Sequence, residues 1–596
     1  MRKLLLILLL CLFHLNAKCQ KRNTQPNVIV VITDDQGYGD LGAHGNEIIK
    51  TPALDTFHNN AVRLTNFHVS PTCAPTRAAL MTGRYSNRTG VWHTIGGVSI
   101  LREDEKTIAQ ILKENGYKTG LFGKWHLGDN YPARPHDKGF DKAIYHGAGG
   151  VGQTPDYWGN DYFDDTYFVN ANPTKFKGYC TDIWFNEAIK FIDDSKEQPF
   201  FCYISTNAPH SPLNVPEKYY KMYENMDIPE FQKKFYGMIT NIDDNFDLLV
   251  KHLKKRNLYD NTILIFMTDN GTAWGYKKIG VKEYGYNASM RGIKNSEYEG
   301  GHRVPFFISY PNGMINEGND IDELTAHIDV LPTIAQLCNV SIQNLEIDGI
   351  DITPLLTDKN AQINRDYVIT DSQRVQSPIK WKKSAVMSDD FRLINGEELY
   401  NIKYDPSQKI NIAELNADQV KKMRAYYEEW WESVSKKFNV FPIIKVGTHY
   451  ENPVILTCHD LHIHDSNIPW NQNFIREGLK NPQGGNLSIE FMEDGEYLIE
   501  LSRWPFEANL SFDASIEGAL ETNTTDKISK GKPLDVISAE LNVGAWNQKK
   551  IVSGKEKVVK FKSYFSKGKS DITASFIKGD GTKLGSYYFK ITRLMN

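Results

Sequence analysis

Two short runs without a polar residue stand far apart in the chain, Val28-Ile29-Val30-Val31-Ile32 and Ile263-Leu264-Ile265-Phe266-Met267. Apolar runs of this length that show no alternation predict strands buried on both faces, as in a sheet covered by helices. Each run leads within two residues into oxygen-bearing side chains, Asp34-Asp35 after the first and Asp269-Asn270 after the second. Residues 118–122 and 199–205 predict two more strands. Helical spacing marks residues 107–115, closed by Gly116, then 182–196 and 231–256. In the last of these Met238, Ile239, Ile242, Phe246 and Leu249 share one face. Short strands are expected from about residue 368, then a helix over 418–438. From about residue 445 the period changes to two, and 486–490, 497–502 and 587–592 alternate between Gly and Asn turns. The pattern predicts an α/β body followed by an appended β-sandwich-like domain.

Composition narrows this picture only a little. The chain has 596 residues, 40% hydrophobic and 24% charged, as expected of a globular protein with more than one domain. A net charge of −4 offers no basic surface, so no nucleic-acid or polybasic membrane partner is expected. Met1-Arg2-Lys3, a mostly apolar run over residues 4–15 and Asn16-Ala17 predict a signal peptide over 1–17, cleaved after Ala17. That run is too short to span a bilayer, and no later segment is long and apolar enough. Cys19 raises lipidation, which Lys18 before it disfavours. The expected destination is the periplasm, the cell surface or the medium. Cys73, Cys180, Cys202, Cys338 and Cys458 are too widely spaced for a disulfide scaffold. Cys180 and Cys202 read either as a pair or as two buried small hydrophobes.

Candidate chemistry centres on Cys73-Ala74-Pro75-Thr76-Arg77, which leads into Leu80-Met81-Thr82-Gly83-Arg84. Pro75 suits the first turn of a helix, so Cys73 is expected at a helix N-terminus with Arg77 one turn on along the same face. Partial positive charge there and a guanidinium nearby make a place for an anion. Further motifs lie in Gly123-Lys124-Trp125-His126-Leu127-Gly128, Ala208-Pro209-His210, Gly292-Ile293-Lys294 and Glu299-Gly300-Gly301-His302-Arg303-Val304-Pro305. On an extended segment Lys124 and His126 point the same way. Asp34, Asp35, Asp269 and Asn270 offer hard oxygens without thiolate or imidazole, a set suited to Ca2+ or Mg2+ rather than zinc. Loops over 129–181 carry Tyr157, Trp158 and Tyr162, readable as sugar-stacking or as core residues.

In this order the motifs resemble the type I, formylglycine-dependent sulfatases of the alkaline-phosphatase-like superfamily, in particular exported bacterial polysaccharide sulfatases. Thr76 stands where that family usually has serine. The resemblance implies a large mixed sheet flanked by helices over 25–367 and a smaller antiparallel subdomain over 368–444, ahead of the appended β-sandwich-like domain over 445–596 that the change of period predicts. It implies that a formylglycine-generating or anaerobic sulfatase-maturing enzyme oxidises Cys73 to formylglycine (3-oxoalanine). One Ca2+ would sit among Asp34, Asp35, residue 73, Asp269 and Asn270. Lys124, His210 and Lys294 would hold the substrate sulfate, and Arg77 would orient the nucleophile. His210 with Lys294 would protonate the leaving oxygen, and His126 would take the proton of the second hydroxyl so that sulfate is released. The expected substrate is a sulfated polysaccharide or oligosaccharide, with ulvan and carrageenan among the options. A formylglycine-dependent phosphonate or phosphodiester hydrolase and a glycan-binding protein with a disabled site are the alternatives. His327 and the Glu299 to Pro305 motif read as structural. In the β domain, Cys458-His459-Asp460-Leu461-His462-Ile463-His464-Asp465 would place His462 and His464 on one strand face, as metal ligands or in a structural or pocket-rim role.

Overall fold

The computed structural model describes residues 25–195, 197–371, 373–463 and 467–595. The signal peptide, its cleavage point, Cys19 and His464 lie outside them.

A ten-stranded mixed sheet forms the centre, built from β1 (Asn27–Thr33), β2 (Val62–Leu64), β3 (Lys118–Lys124), β4 (Lys142–His146), β5 (Thr166–Val169), β6 (Asn172–Lys175), β7 (Phe200–Ser205), β8 (Thr262–Thr268), β9 (Phe306–Ser309) and β10 (Asp320–Ile321). Their order is β10-β2-β9-β8-β1-β7-β3-β4-β5-β6. The four middle strands β8, β1, β7 and β3 run parallel. Their carboxyl ends therefore meet at one edge, where open α/β sheets bind ligands.

The unbroken apolar run of β1 has a direct cause. Val28, Val30 and Ile32 enter the core on one side of the sheet, with Ala74 and Ala78 of helix α1 (Cys73–Thr82). Ile29 and Val31 enter the core on the other side, against α2 (Cys180–Asp194) and α3 (Glu230–Lys255). Both faces are dry, so neither tolerates a polar alternate residue. The helix expected over 107–115 runs over Ile108–Glu114 and opens with a Thr107–Gln110 capping box.

A four-stranded antiparallel sheet, Val368–Asp371, Ser384–Met387, Phe391–Ile394 and Glu398–Asn401, packs with helix α4 (Ala417–Ser435) in a core of its own. Beyond it a six-stranded and a four-stranded sheet face each other across one apolar core, with Val446, Ile489 and Phe576 on one side and Leu456, Ile499 and Phe589 on the other. Ile100 and Ala133 belong to that core although they lie far upstream in the chain. The β region is thus packed against the main body. All five described cysteines are free, so the Cys180–Cys202 pairing is corrected to two buried thiols.

Candidate active site

The carboxyl edge gathers the polar residues that come after the apolar runs. Asp34 succeeds β1, Asp269 succeeds β8, Ser205 closes β7 and Lys124 closes β3. Lys124 Nζ lies 2.6 Å from Asp34 Oδ2, both side chains fully buried. Asp35, at φ 67°, turns back toward Lys294, whose Nζ pairs with Asp35 Oδ1. A non-glycine residue in this region carries strain of order 1 kcal/mol or more, held here by its partners. The Asp35 backbone N–H donates to Asp269 Oδ1 at 3.2 Å, and Asn270 Nδ2 donates to Asp35 Oδ1 at 3.0 Å.

Cys73 opens α1, and Arg77 lies one turn on, buried. Arg77 Nε and Nη2 both donate to Asp269 Oδ2, at 3.1 and 2.7 Å, and Nη1 donates to Ser205 Oγ. Ser205 is absent from the sequence-based candidates, although its place at the end of a buried strand is a usable signal. The Cys73 thiol and the Asp34 and Asp269 carboxylates lie within 4.8 Å of one another. Thr76, the departure in the signature, is buried and donates through Oγ1 to Ser70 O at 2.9 Å.

His126 enters the site by a turn and not by strand alternation. It sits at φ 64°, so the segment after Lys124 bends rather than staying extended. Its Nε2 donates to the Thr94 carbonyl at 2.8 Å. Nδ1 is buried without a partner, and in the neutral ring it holds the lone pair. Gly149 has no side chain for a reason, since a Cβ there would come within 2.3 Å of the His126 ring. His210 Nδ1 lies 2.6 Å from Ser211 O, which leaves Nε2 facing Asp35 Oδ2 at 3.8 Å. Tyr162 is core rather than sugar-stacking, and its hydroxyl fixes this loop by donating to His210 O at 2.6 Å. Trp158 packs edge-on against Trp504.

Three carboxylates, Asp34, Asp35 and Asp269, thus meet three cations, Arg77, Lys124 and Lys294. Burial raises Asp34, partly offset by Lys124. Burial also pushes on Asp35, but Lys294 and His210 outweigh it and hold the carboxyl well below its ordinary range. Asp269 is pushed up to about 6 by burial and by Asp34. Burial and Lys124 depress His126 well below 6.5, and burial brings His210 to about 4. Buried Asp34 Oδ1 and Asn270 Oδ1 have no hydrogen-bond partner. Two orphaned hard oxygens beside further carboxylates fit a bound divalent cation such as calcium.

The other candidates part company with this site. His327 Nε2 pairs with Ser70 Oγ at 3.2 Å, and Glu299 forms a buried ion pair with Arg392 at 2.6 Å. Both are structural. His462 Nδ1 is taken by Gln376 Nε2 at 2.8 Å. That bond occupies one of its two ring nitrogens.

The mixed sheet with its polar carboxyl edge is of the alkaline-phosphatase-like class of fold. A family model described as Sulfatase matches residues 26–340, and one described as N-sulphoglucosamine sulphohydrolase, C-terminal, matches residues 293–436. The first covers more than half of the chain, and the chain belongs to the sulfatase family. Arylsulfatase J of Mus musculus is 32% identical over 344 residues, 55% of this chain and 55% of that protein. The uncharacterized sulfatase YdeN of Escherichia coli is 28% identical over 391 residues, 56% of this chain and 66% of that protein. The chain thus spans between about half and two thirds of these relatives. An ulvan-active sulfatase of Formosa agariphila is 28% identical over 381 residues, 59% of this chain and 68% of that protein. The crystal structure of Ps i-CgsB in complex with k-i-k-neocarrahexaose superimposes with a TM-score of 0.61 at 29% identity, covering 68% of this chain and 92% of the other.

Proposed function

We propose that this protein is an exported sulfatase that hydrolyses sulfate esters of a sulfated carbohydrate, with residue 73 as formylglycine. One observation carries the reading. Cys73 opens a buried helix within 4.8 Å of Asp34 and Asp269, with Lys124 on Asp34, Arg77 on Asp269 and Lys294 on the adjoining Asp35. The division at about residues 367 and 444 and the N-terminal signal peptide belong to the same reading. The names of the ulvan-active and carrageenan-oligosaccharide-bound relatives support a glycan substrate.

A sulfate ester is a stable anion, so attack at sulfur needs its oxygens neutralised and an activated nucleophile. The matured aldehyde at position 73 supplies geminal hydroxyls as its hydrate. Asp34, Asp35, Asp269, Asn270 and residue 73 would hold a calcium ion, which would supply positive charge to offset that of the sulfate. Lys124 and Lys294 are the cations placed to bind sulfate oxygens. Arg77 fixes Asp269 and the start of α1. Of the two groups assigned to the leaving oxygen, the Lys294 ammonium carries a proton to give, while the neutral His210 ring, its Nδ1–H on the Ser211 carbonyl, turns a lone pair at Nε2 toward the site. His126 Nδ1 is the lone pair poised to receive the proton that releases sulfate.

Mass spectrometry of the peptide carrying residue 73, from a host with a maturing enzyme, tests the reading together with sulfate release from a panel of sulfated glycans. An aldehyde and released sulfate are expected. Unmodified cysteine in both the parent and a Thr76→Ser variant would falsify the mechanism. Faster turnover of matched phosphonate esters than of sulfate esters would favour the alternative hydrolase. Binding of glycans without turnover by the matured protein would favour the binding protein.

A further inference from the structure

Three segments from distant parts of the chain are clamped together beside His126. Trp92 Nε1 donates to Gln376 O at 3.3 Å, Gln376 Nε2 donates to His462 Nδ1 at 2.8 Å, and Gly97 N donates to Leu461 O at 3.3 Å. The first segment comes after α1, the second lies in the four-stranded sheet's first connection, and the third is the histidine-rich stretch of the β region. Each brings a basic or imidazole group to the junction.

His93 is next to Thr94, whose carbonyl holds His126. The Thr94 backbone N–H donates to His93 Nδ1 at 2.6 Å, and that of Ile95 at 3.3 Å. A backbone N–H can only donate, so Nδ1 is the acceptor and Nε2 carries the ring proton. His459 is 3% exposed, and its Nε2 is buried without a partner. It lies within electrostatic reach of both His126 and His93. Arg374 is exposed and makes no ion pair with a carboxylate among the described residues. It lies within electrostatic reach of His93 and of Lys294. The same connection reaches the Lys294 loop through Lys383 Nζ, 3.2 Å from Asn295 O. The charged and titratable groups acting on His93 are Arg374 and His459, with no acid among them.

Unlike the three cations of the active site, these groups have no carboxylates to answer them. The buried His459 Nε2 costs free energy unless something fills it, and a guanidinium without a carboxylate partner, here within reach of His93, selects an anion. Resting on the sulfatase reading, we propose that Arg374, His93 and His459 form a second anion subsite beside the scissile-sulfate pocket. It takes a second sulfate or a carboxylate of the same glycan. The substrate class is then a polyanionic saccharide with two negative groups close together, and the β region contributes directly to its recognition through His459.

The test uses the full matured chain and three disaccharides that share one scissile sulfate. One has no other charge, one carries a second sulfate and one carries a uronate carboxylate. A second anion is expected to raise kcat/KM by about tenfold, mainly through KM, the scale of one charge-assisted hydrogen bond. Which of the two charged sugars gains identifies the anion. Arg374→Gln, a surface change, is expected to abolish the gain and Arg374→Lys to restore part of it, with His459→Gln reducing it. Equal kcat/KM for all three sugars in the parent, or a gain untouched by Arg374→Gln, would overturn the proposal. Calorimetric titration of the full-length Cys73→Ser chain reads the same preference without turnover. A preference for the doubly charged sugar there, with no sulfate released by the matured parent, would leave the subsite standing while removing the sulfatase reading.

Discussion

At the scale of single residues, Arg77 shows why residue type matters beyond charge. Its Nε and Nη2 converge on one carboxylate oxygen while Nη1 reaches Ser205. A lysine cannot reproduce that fork. Arg77→Lys is expected to lower kcat by about a hundredfold, the cost of misplacing a reacting group by about an ångström. Arg77→Met, which leaves Asp269 buried without its partner, is expected to lose about 3–5 kcal/mol in denaturant unfolding with calcium removed. His126 gives a pH prediction. Its depressed pKa keeps Nδ1 free as a base down to pH values below 6.5, and only further acidification protonates it. The acid limb of kcat/KM should therefore have an apparent pKa below 6.5, and a limb near neutrality would contradict the assignment. The signature residues at Cys73 and Arg77 were legible in the chain because helix periodicity links them. His126 was only partly so, because its positive φ comes from the packing of Gly149 and Thr94 around the ring.

At the scale of elements, the four middle strands account for most of the site. Their apolar runs are readable because both faces are buried, and Asp34 and Asp269 are readable because they stand directly after those runs. The joint between the sheets was harder to see. Arg392, on the third strand of the four-stranded sheet, donates through Nε to Glu299 at 2.6 Å, through Nη2 to Asn66 Oδ1 at 2.7 Å and to His68 Nε2 at 3.2 Å. Burial opposes ionisation of Glu299, but Arg392 and His68 hold its carboxyl far below the ordinary 4.5. Burial draws Arg392 itself down, yet a guanidinium stays charged at any working pH, so Glu299 governs the pH dependence. A depressed carboxyl adds stability above its unfolded pKa and loses it as pH falls through the folded value. Arg392→Met should cost about 3–5 kcal/mol at pH 7, measured by chemical denaturation. The difference from the parent should shrink as the pH falls below 4.5.

At the scale of the whole molecule, the β region behaves as part of the body. Thr154 N donates to Trp470 O at 3.1 Å, and Gln472 Nε2 donates to the carbonyls of Gln153, Asp156 and Tyr157 at 3.1–3.3 Å. These bonds hold the loop that carries Gly149, and Ile100 and Ala133 complete the β-region core. A chain cut after residue 444 uncovers all of them. It is expected to be recovered mainly as aggregate by size-exclusion chromatography, because a newly exposed apolar surface of this kind associates. A stable, monodisperse truncated chain of parental activity would show that the β region is dispensable.

The sequence by itself determined the buried strands, the acids at their ends and the ordered motifs that mark the sulfatase family. Those features are local, written in periodicity and in residues adjacent along the chain. Only the tertiary structure decided which acids meet which cations, how His126 turns into the site, and that residues 93, 374 and 459 share one junction. These depend on strand order and on how the sheets pack, and no local pattern encodes either.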